Sequence, residues 1–504
     1  MLLADQLPAI IVTVAMFFGF TILLVGYLNR RLAFWFSLIP NIAFLILSIL
    51  TLRHVLTVGT IKYWQGGWRP PWGIEYVVDA MNAYLLVILF FIVVLIEIYS
   101  KRNVEKEIEA RKHPTFYALV QLMVAGLAGI TVTGDLFNMF VWLEIASLTA
   151  YALIAVAGGR ALRASYNYVI MGSIGAVFYI FGVGWMYAAT GTLNMADMRI
   201  LLPVVYDSRL VQMAFAFIVV GIMIKAYIFP LHFWQPDAYT YAPSSISAMI
   251  ASIHGKVMIY ILIRLVYSVF TLEFIRHYIG LDLIICWVAA AGILAGSVFA
   301  IKQRNIKRML AYSSVSQFGY ILLGIGLSPL SPWGLVAVVA HILNHAVMKG
   351  CLFLAAGSFI HQEGKWDIRH FEGLSKRMPW ASGAFAIAAI SMIGIPPTAG
   401  FASKLFLILA SLDAAQYPFV IILLLSGLLN LVYFWRVIDR MYFVRHEEPT
   451  EGGKERAGGL PISMTAPMMV LAALCIILGL FWLTDIPMPL INQILSDLST
   501  GGRL

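Results

Sequence analysis

Residues 134–153 read GDLFNMFVWLEIASLTAYAL, twenty positions in which only Asp135 and Glu144 are charged. About 20 mostly apolar residues, each rising about 1.5 Å, cross a hydrocarbon core roughly 30 Å thick. Length and composition therefore make this stretch a membrane-spanning helix. Asp135 stands at its start, where a carboxylate caps free N–H groups or meets the positive end of the helix dipole. Glu144 lies too deep to cap anything. An ionisable group at that depth is costly to keep, which points to function.

The same pattern recurs along the chain. The 504 residues are 61% apolar and only 12% charged, with a mean hydropathy of +0.88, whereas about a quarter of residues are charged in soluble domains. Fourteen stretches are long enough to cross, at approximately 8–28, 32–52, 80–100, 115–134, 136–157, 164–190, 210–230, 245–270, 280–301, 307–327, 332–360, 382–411, 416–438 and 463–484. The fold class is an all-α polytopic membrane protein. Lys and Arg resist translocation in short loops. Of the 34 basic residues, 21 fall in odd-numbered loops and seven in even-numbered loops and termini. The alternation predicts a multi-pass membrane protein with both termini outside, and the expected location is a bacterial or archaeal plasma membrane. It also accounts for the net charge of +9 without nucleic acid.

The N-terminal MLLADQLPAI has no basic segment and no small-residue cleavage site, so the first apolar run reads as a retained helix. The longest polar stretch, about 441–461, reads as a cytoplasmic loop, and little follows residue 484. No Walker sequence, CxxC or soluble domain appears, so no cofactor and no catalytic site of the chain's own are expected. Cys286, Cys351 and Cys475 lie scattered in apolar runs and read as buried structural thiols.

Six basic residues remain at membrane depth: Lys225, Lys256, Arg264, Lys349, Lys404 and Arg436. Arg264 and Arg436 lie near span ends, where a long side chain snorkels to water. Each of the four lysines costs about 2.5–3.5 kcal/mol on insertion scales. Burial penalises the charged ammonium and a carboxylate rescues it, so a lysine can give up its proton when that partner moves. Static ion pairs joining helices are the competing reading. In HILNHAVMKG, His341, His345 and Lys349 follow at i, i+4 and i+8 and line one helix face. HxxxH admits a metal, but Ile342 stands where a zinc protease has glutamate. A proton or water wire suits neutral histidine, which both donates and accepts.

Two spans are interrupted. GIMIKAYIFPLHFWQPDAYTYAPSS (221–245) places Pro230, Pro236 and Pro243 after Lys225, and SMIGIPPTAGFASKLFLI (391–408) places Pro396 and Pro397 before Lys404. Proline breaks the helical ladder, and freed backbone groups survive at this depth only where protein or water covers them. Broken helices in corresponding halves point to an ion site. Their five-span separation predicts inverted five-helix repeats, spans 4–8 and 9–13, with helices 7 and 12 broken. The expected divisions are a three-helix segment at 1–110, repeats at 111–272 and 273–440, and the loop with the last helix at 441–504.

Several motifs together resemble a known family. They are GGWRPPWGIEYVVDAMNA (66–83), GDLFNMFVWLE (134–144), LHFWQPDAYTYAPSSISA (231–248), KRMLAYSSVSQFGY (307–320), NHAVMKGCLFLAAG (344–357) and GIPPTAGFASKLFL (394–407). Over nearly the whole chain the sequence resembles the antiporter-like subunits of respiratory complex I. It is more similar still to the D-type subunit of Mrp-type multisubunit sodium/proton antiporters, with relatives in membrane-bound hydrogenases. The resemblance implies a hydrophilic axis from Glu144 and Lys225 through Lys256, past His341, His345 and Lys349, to Lys404. Lys404 and Gln317 fit the Mrp side, where complex I relatives have glutamate or histidine. Asp135, His254, Ser313, Ser314 and Gln317 are candidate accessories. The implied function is proton translocation within a multisubunit complex, contributing to sodium/proton exchange. The implied partners are other membrane subunits, protons and the lipid bilayer, with sodium ions as a further candidate. A redox-driven complex with the same pumping subunit is the alternative. A lone deep carboxylate offers too few oxygens for a hard cation, so the axis itself reads as a proton path.

Overall fold

A computed structural model describes residues 3–444 and 459–500. Most of the 441–461 loop, with Arg445, Lys454 and Arg456, and the terminal Arg503 lie outside the described residues. In chain order the helices are α1 (Leu3–Leu28), α2 (Arg30–Thr57), α3 (Ala80–Glu107), α4 (His113–Val132), α5 (Leu136–Ala155), α6 (Arg160–Thr190), α7 (Met195–Leu201), α8 (Arg209–Lys225), α9 (Gln235–Tyr241), α10 (Ser244–Val269), α11 (Asp282–Ile301), α12 (Ile306–Leu327), α13 (Trp333–Glu363), α14 (Pro379–Ile393), α15 (Ala399–Asp413), α16 (Tyr417–Tyr442), α17 (Ile462–Phe481) and α18 (Met488–Thr500). Twelve of these are long and apolar enough to cross a membrane unbroken. The other two expected crossings are interrupted, one between α8 and α9 and the other between α14 and α15.

Burial divides the bundle. α10 is wholly enclosed and α12 and α13 nearly so, while α1, α6, α16 and α17 turn apolar side chains outward. Side chains such as Phe17, Leu24, Leu424 and Trp435 suit lipid or another apolar membrane surface. The scarce polar residues sit inside, where α10, α12 and α13 meet. Cys286, Cys351 and Cys475 are unpaired and buried.

Short side-chain caps set where several helices begin. Asn29, Asp79, Asp135, Asn194 and Asn305 each accept a backbone N–H from the first turn that follows. Two of these caps are built alike. Asp135, before α5, forms an isolated antiparallel bridge with Asn194, which caps α7, and Asn305, before α12, forms one with Asp367, which caps the turn at 368–370.

Three features depart from the sequence reading. Residues 61–78 form a hairpin, β1 (Ile61–Trp64) and β2 (Glu75–Val78), with Ile61 opposite Val78 and Trp64 opposite Glu75. Four-residue strands flanking a Gly/Pro-rich turn leave no trace in a hydropathy scan tuned to 20 residues. Glu75 ties the hairpin down, accepting from Trp64 Nε1 at 3.1 Å and Asn194 Nδ2 at 2.9 Å. Next, α18 follows the last crossing, too short to span. Asp497 on α18 accepts the Ala80 N–H at the start of α3 at 3.0 Å, and burial pushes its carboxyl above the ordinary aspartate range. Finally, Arg264 does not snorkel: it is buried and paired with Asp79 at 2.6 Å.

Close approach fixes how α17 lies over the break between α14 and α15. A Cβ at Gly479 would stand 1.9 Å from the Pro397 carbonyl oxygen. Backbone cannot yield as a side-chain tip does, so Gly479→Ala is expected to destabilise the protein by about 1–3 kcal/mol or more. Thermal unfolding in detergent measures this, and an unchanged midpoint contradicts the packing described.

Candidate functional site

Glu144 projects from α5 with Ser147 and Tyr151 one and two turns on, and the three converge on Lys225. The Lys225 ammonium donates to Glu144 Oε1 at 2.7 Å, Ser147 Oγ at 3.0 Å and Tyr151 OH at 3.5 Å. Lys225 is 1% exposed and the Glu144 side chain 26%. The pair thus has a sealed cationic member and an accessible anionic one. Lys225 ends α8, where the chain breaks. Trp234 Nε1 donates to the Ile224 carbonyl at 2.9 Å, which also accepts the Tyr227 N–H at 3.2 Å, so this backbone oxygen beside the break is satisfied. The Trp234 ring stacks on Tyr168 at 3.6 Å and covers the break.

α10 carries Lys256 just after a π-helical turn at 250–254, an irregularity often found at functional sites. Its ammonium donates to the Ala251 carbonyl and lies 5.6 Å from the Phe318 ring centre. Gly255 permits the approach of the α8 break, because a Cβ there would meet Tyr227 OH at 2.1 Å. His254 is fully buried, and neither ring nitrogen has a hydrogen-bond partner among the described residues.

His341, His345 and Lys349 line one buried face of α13, the two imidazoles stacked with centres 5.5 Å apart. His341 Nδ1 lies 2.9 Å from Ser403 Oγ on α15. Lys349 donates to the Leu310 carbonyl at 2.8 Å and to Ser313 Oγ, while Ser314 Oγ bonds back to Leu310 at 3.1 Å. Both side-chain polar atoms of Gln317, both nitrogens of His345 and Nε2 of His341 lack hydrogen-bond partners among the described residues. Buried polar atoms almost always find a partner in protein or ordered water. A cluster of them between α10, α12 and α13 is a hydrogen-bonding reserve, not a packed core.

Lys404 closes the second break. It donates to the Met392 and Ile393 carbonyls, both at 2.8 Å, satisfying the last turn of α14 from the first turns of α15. Both broken crossings therefore carry a lysine at the break. Asp135 caps α5, accepting the Asn138 N–H at 2.7 Å, and its hydrogen bonds stay at that helix start. Arg436 donates to the Ile301 and Gln303 carbonyls at 2.7 and 2.5 Å, tying α16 to the end of α11. Among the described residues no three His, Cys, Asp or Glu side chains gather as a metal site.

Sequence reasoning overlooked several charges that the fold draws inward, among them the buried Glu97, Asp79 and Lys307 and the half-buried Glu107. Glu97 on α3 is 1% exposed, so Glu144 is not the one deep carboxylate. Asp79 pairs with Arg264, as above. Lys307, assigned to a loop, is buried and donates to the Ala242 carbonyl at 2.6 Å. Glu107 accepts from the Ser244 backbone N–H and hydroxyl, both at 2.7 Å, where α10 begins. Glu97 stands in an apolar run and was legible; the other three needed partners distant in sequence.

Residues 133–429 match the family described as NADH:quinone oxidoreductase/Mrp antiporter, transmembrane. The N-type subunit of the NADH-quinone oxidoreductase of Desulforudis audaxviator is 42% identical, the match covering 94% of this chain and 96% of that one. The D-type subunit of the Na(+)/H(+) antiporter of Bacillus subtilis is 30% identical over 90% of each. Among solved structures, a chain of the Mrp complex from Dietzia sp. superposes with a TM-score of 0.88 at 26% identity, covering 99% of this chain and 98% of that one.

Proposed function

Because the chain belongs to the NADH:quinone oxidoreductase/Mrp antiporter family, we propose that it is the proton-translocating, antiporter-like subunit of a larger membrane complex and contributes to sodium/proton exchange. The observation that carries this reading is the Lys225–Glu144 pair, 2.7 Å apart at a broken helix. Glu144 holds the ammonium charged, and a neighbouring subunit that draws Glu144 away makes the charge untenable in its sealed site. The proton then leaves Lys225 for Lys256 and passes the face of His341, His345 and Lys349 to Lys404. Ser313, Ser314, Gln317 and His254 order the bridging water, since each carries donors or acceptors toward that region. Lys404, bonded to the carbonyls at the second break, exchanges with one aqueous side.

Residues 111–272 and 273–440 are read as two inverted repeats. The matched caps support this, because the bridge at Asp135 and the bridge at Asn305 start spans five places apart, and alternation puts those starts on opposite faces. On the same alternation both termini lie outside. The segment 1–110 and the final helices flank the repeats.

Lys404→Leu tests the path at its exit. Proton flux in reconstituted vesicles is expected to fall by about 10² or more, as for a lost proton-transfer group. A passive scaffold predicts the reverse, with intact flux and even a gain in stability from removing a buried charge. A second reading, in which electron transfer in a partner drives the same subunit, is favoured by the 42% identity to a quinone oxidoreductase subunit. Composition of the native complex decides between them, because an iron–sulfur or nickel partner selects the redox form.

A further inference from the structure

On one membrane face the start of α2, the end of α3 and the start of α4 enclose a pocket of about 380 Å³, within the range of about 300–1,000 Å³ usual for small-molecule sites. Arg30 and Arg31 line it from α2, Lys101 from α3 and His113 from α4. Like charges gathered in one hollow repel each other unless acids pair with them. Here the acids are missing: among the described residues Arg30, Arg31 and Lys101 form no ion pair. Glu105, which also lines the pocket, is held by Arg102 at 2.9 Å. The hollow therefore carries uncompensated positive charge.

Its walls are set in advance. Lys101 Nζ lies 5.3 Å from the Phe34 ring centre and 5.0 Å from the Trp35 ring centre, so two aromatic rings hold the cation in place. Phe34 in turn packs edge-on against Tyr117 of α4, with centres 5.7 Å apart. His113 Nε2 lies 3.0 Å from the Ile108 carbonyl and steadies the turn from α3 into α4. Asn29 caps α2 by accepting the Arg31 N–H at 3.0 Å, so the positive end of that helix dipole lies beside the two guanidinium groups. Guanidinium offers paired N–H groups that match the oxygens of a phosphate.

Depth and surroundings say what carries the phosphate. Arg30 and Arg31 open α2, and Lys101 directly follows the apolar run 80–100, so the pocket stands where the helices leave the hydrocarbon and lipid headgroups lie. Beyond it, Trp35, Ile39, Ile42, Ile46 and Ile49 recur at helical spacing on one face of α2, all exposed. From Trp35 to Ile49 is about 21 Å at about 1.5 Å per residue, more than half of a hydrocarbon core roughly 30 Å thick. Faces where membrane helices meet favour small residues, whereas four isoleucines suit an acyl chain. A phospholipid meets both the charge and the stripe with one molecule; free phosphate meets only the charge.

We propose that this pocket binds the phosphodiester headgroup of an anionic phospholipid, with an acyl chain lying along the isoleucine stripe of α2. Arg30 and Arg31 take the phosphate oxygens, and Lys101 adds a point charge. These basic loops are the ones read as cytoplasmic, the side on which anionic lipid attracts basic segments. The site shares no residue with the lysine axis and does not depend on the chain's carrying protons.

The test is native mass spectrometry of the purified, delipidated full-length chain with dioleoyl phosphatidylglycerol or dioleoyl phosphatidylcholine at equal concentration, with thermal unfolding under the same conditions. The expected results are one tightly held phosphatidylglycerol per chain, a preference of about tenfold or more over phosphatidylcholine, and an unfolding midpoint that rises with phosphatidylglycerol. Arg30→Gln combined with Arg31→Gln weakens retention about tenfold or more, and Lys101→Gln weakens it as well. Both arginines are exposed, so the lipid-free midpoint of the double variant stays where it was. Lys302→Gln combined with Arg304→Gln removes the same charge from another loop and keeps retention. Dihexanoyl phosphatidylglycerol, with its short chains, binds more weakly, and inorganic phosphate produces neither effect. Equal retention of the two dioleoyl lipids overturns the proposal, as does undiminished retention in the arginine double variant. Inorganic phosphate that matches the lipid overturns it in favour of a soluble anion. A native complex that holds no phosphatidylglycerol there, its pocket filled by an acidic segment of a neighbouring subunit, overturns it in favour of a protein contact.

Discussion

Proton flux through vesicles carrying the assembled complex is expected to vanish in Glu144→Gln and in Lys225→Ala, with subunit composition unchanged. The loss should reach about 10²–10⁴, the range for removing a positioned proton-transfer group. Geometry says why the two act as one unit. Lys225 is 1% exposed and its ammonium reaches a single carboxylate, Glu144, together with two hydroxyls. Without Glu144 the buried ammonium has no counter-charge and the site stays neutral. Without Lys225 the carboxylate has no proton to hold or release. Assembly survives because Glu144 is partly exposed and Ser147 and Tyr151 keep two hydroxyls on the same helix face. Lys225→Arg separates transport from simple ion pairing. Arginine keeps the charge and the salt bridge but does not give up its proton in proteins, so a relay fails while a static strut remains. A pH-sensitive dye in the vesicle lumen reads the flux. Normal flux in Lys225→Arg eliminates the relay.

Hydropathy was a sufficient guide to the crossings because each must supply its own run of apolar residues, whatever it packs against. The two breaks were equally legible, since Pro230 with Pro236, and Pro396 with Pro397, interrupt otherwise continuous apolar helices. Helices α8 and α14 end at Lys225 and Ile393, just before those prolines. What stayed hidden depends on contacts between distant residues or on elements shorter than a span. The β1–β2 hairpin and α18 are held by Glu75 and Asp497, whose partners Asn194 and Ala80 lie 119 and 417 residues away. Arg264 looked able to snorkel because sequence shows its place in a span but not Asp79, 185 residues earlier, beside it. Glu97 differs. It was visible inside its run, but Ser37 and Asn41, which donate to it from 60 and 56 residues away, were not.

The largest stability effect should come from the Asp79–Arg264 pair. Asp79→Ala is expected to cost about 3–5 kcal/mol, the penalty for stranding one member of a buried ion pair. Two roles fall together in that carboxylate. It caps α3, accepting from the Met81 and Asn82 N–H groups at 3.0 and 3.1 Å, and it pairs with Arg264 at 2.6 Å. The guanidinium also donates to Tyr260 OH at 2.8 Å, to Ser268 Oγ at 3.2 Å and to Asn82 Oδ1, so α3 and α10 are joined by one network. Charge and packing can be told apart by a second change. Asp79→Asn keeps the cap and the shape but strands the guanidinium, while Asp79→Asn with Arg264→Met removes both charges. If the burden is the uncompensated charge, the double variant recovers most of the thermal unfolding midpoint lost by the single one. If the network itself carries the stability, the double variant is no better, because Tyr260 and Ser268 have then lost their donor as well. Arg264 sits two helical turns beyond Lys256 on the same helix. A failure here would therefore shift α10 and the lysine it holds, so flux per folded molecule should drop with stability in Asp79→Ala and return with it in the double variant.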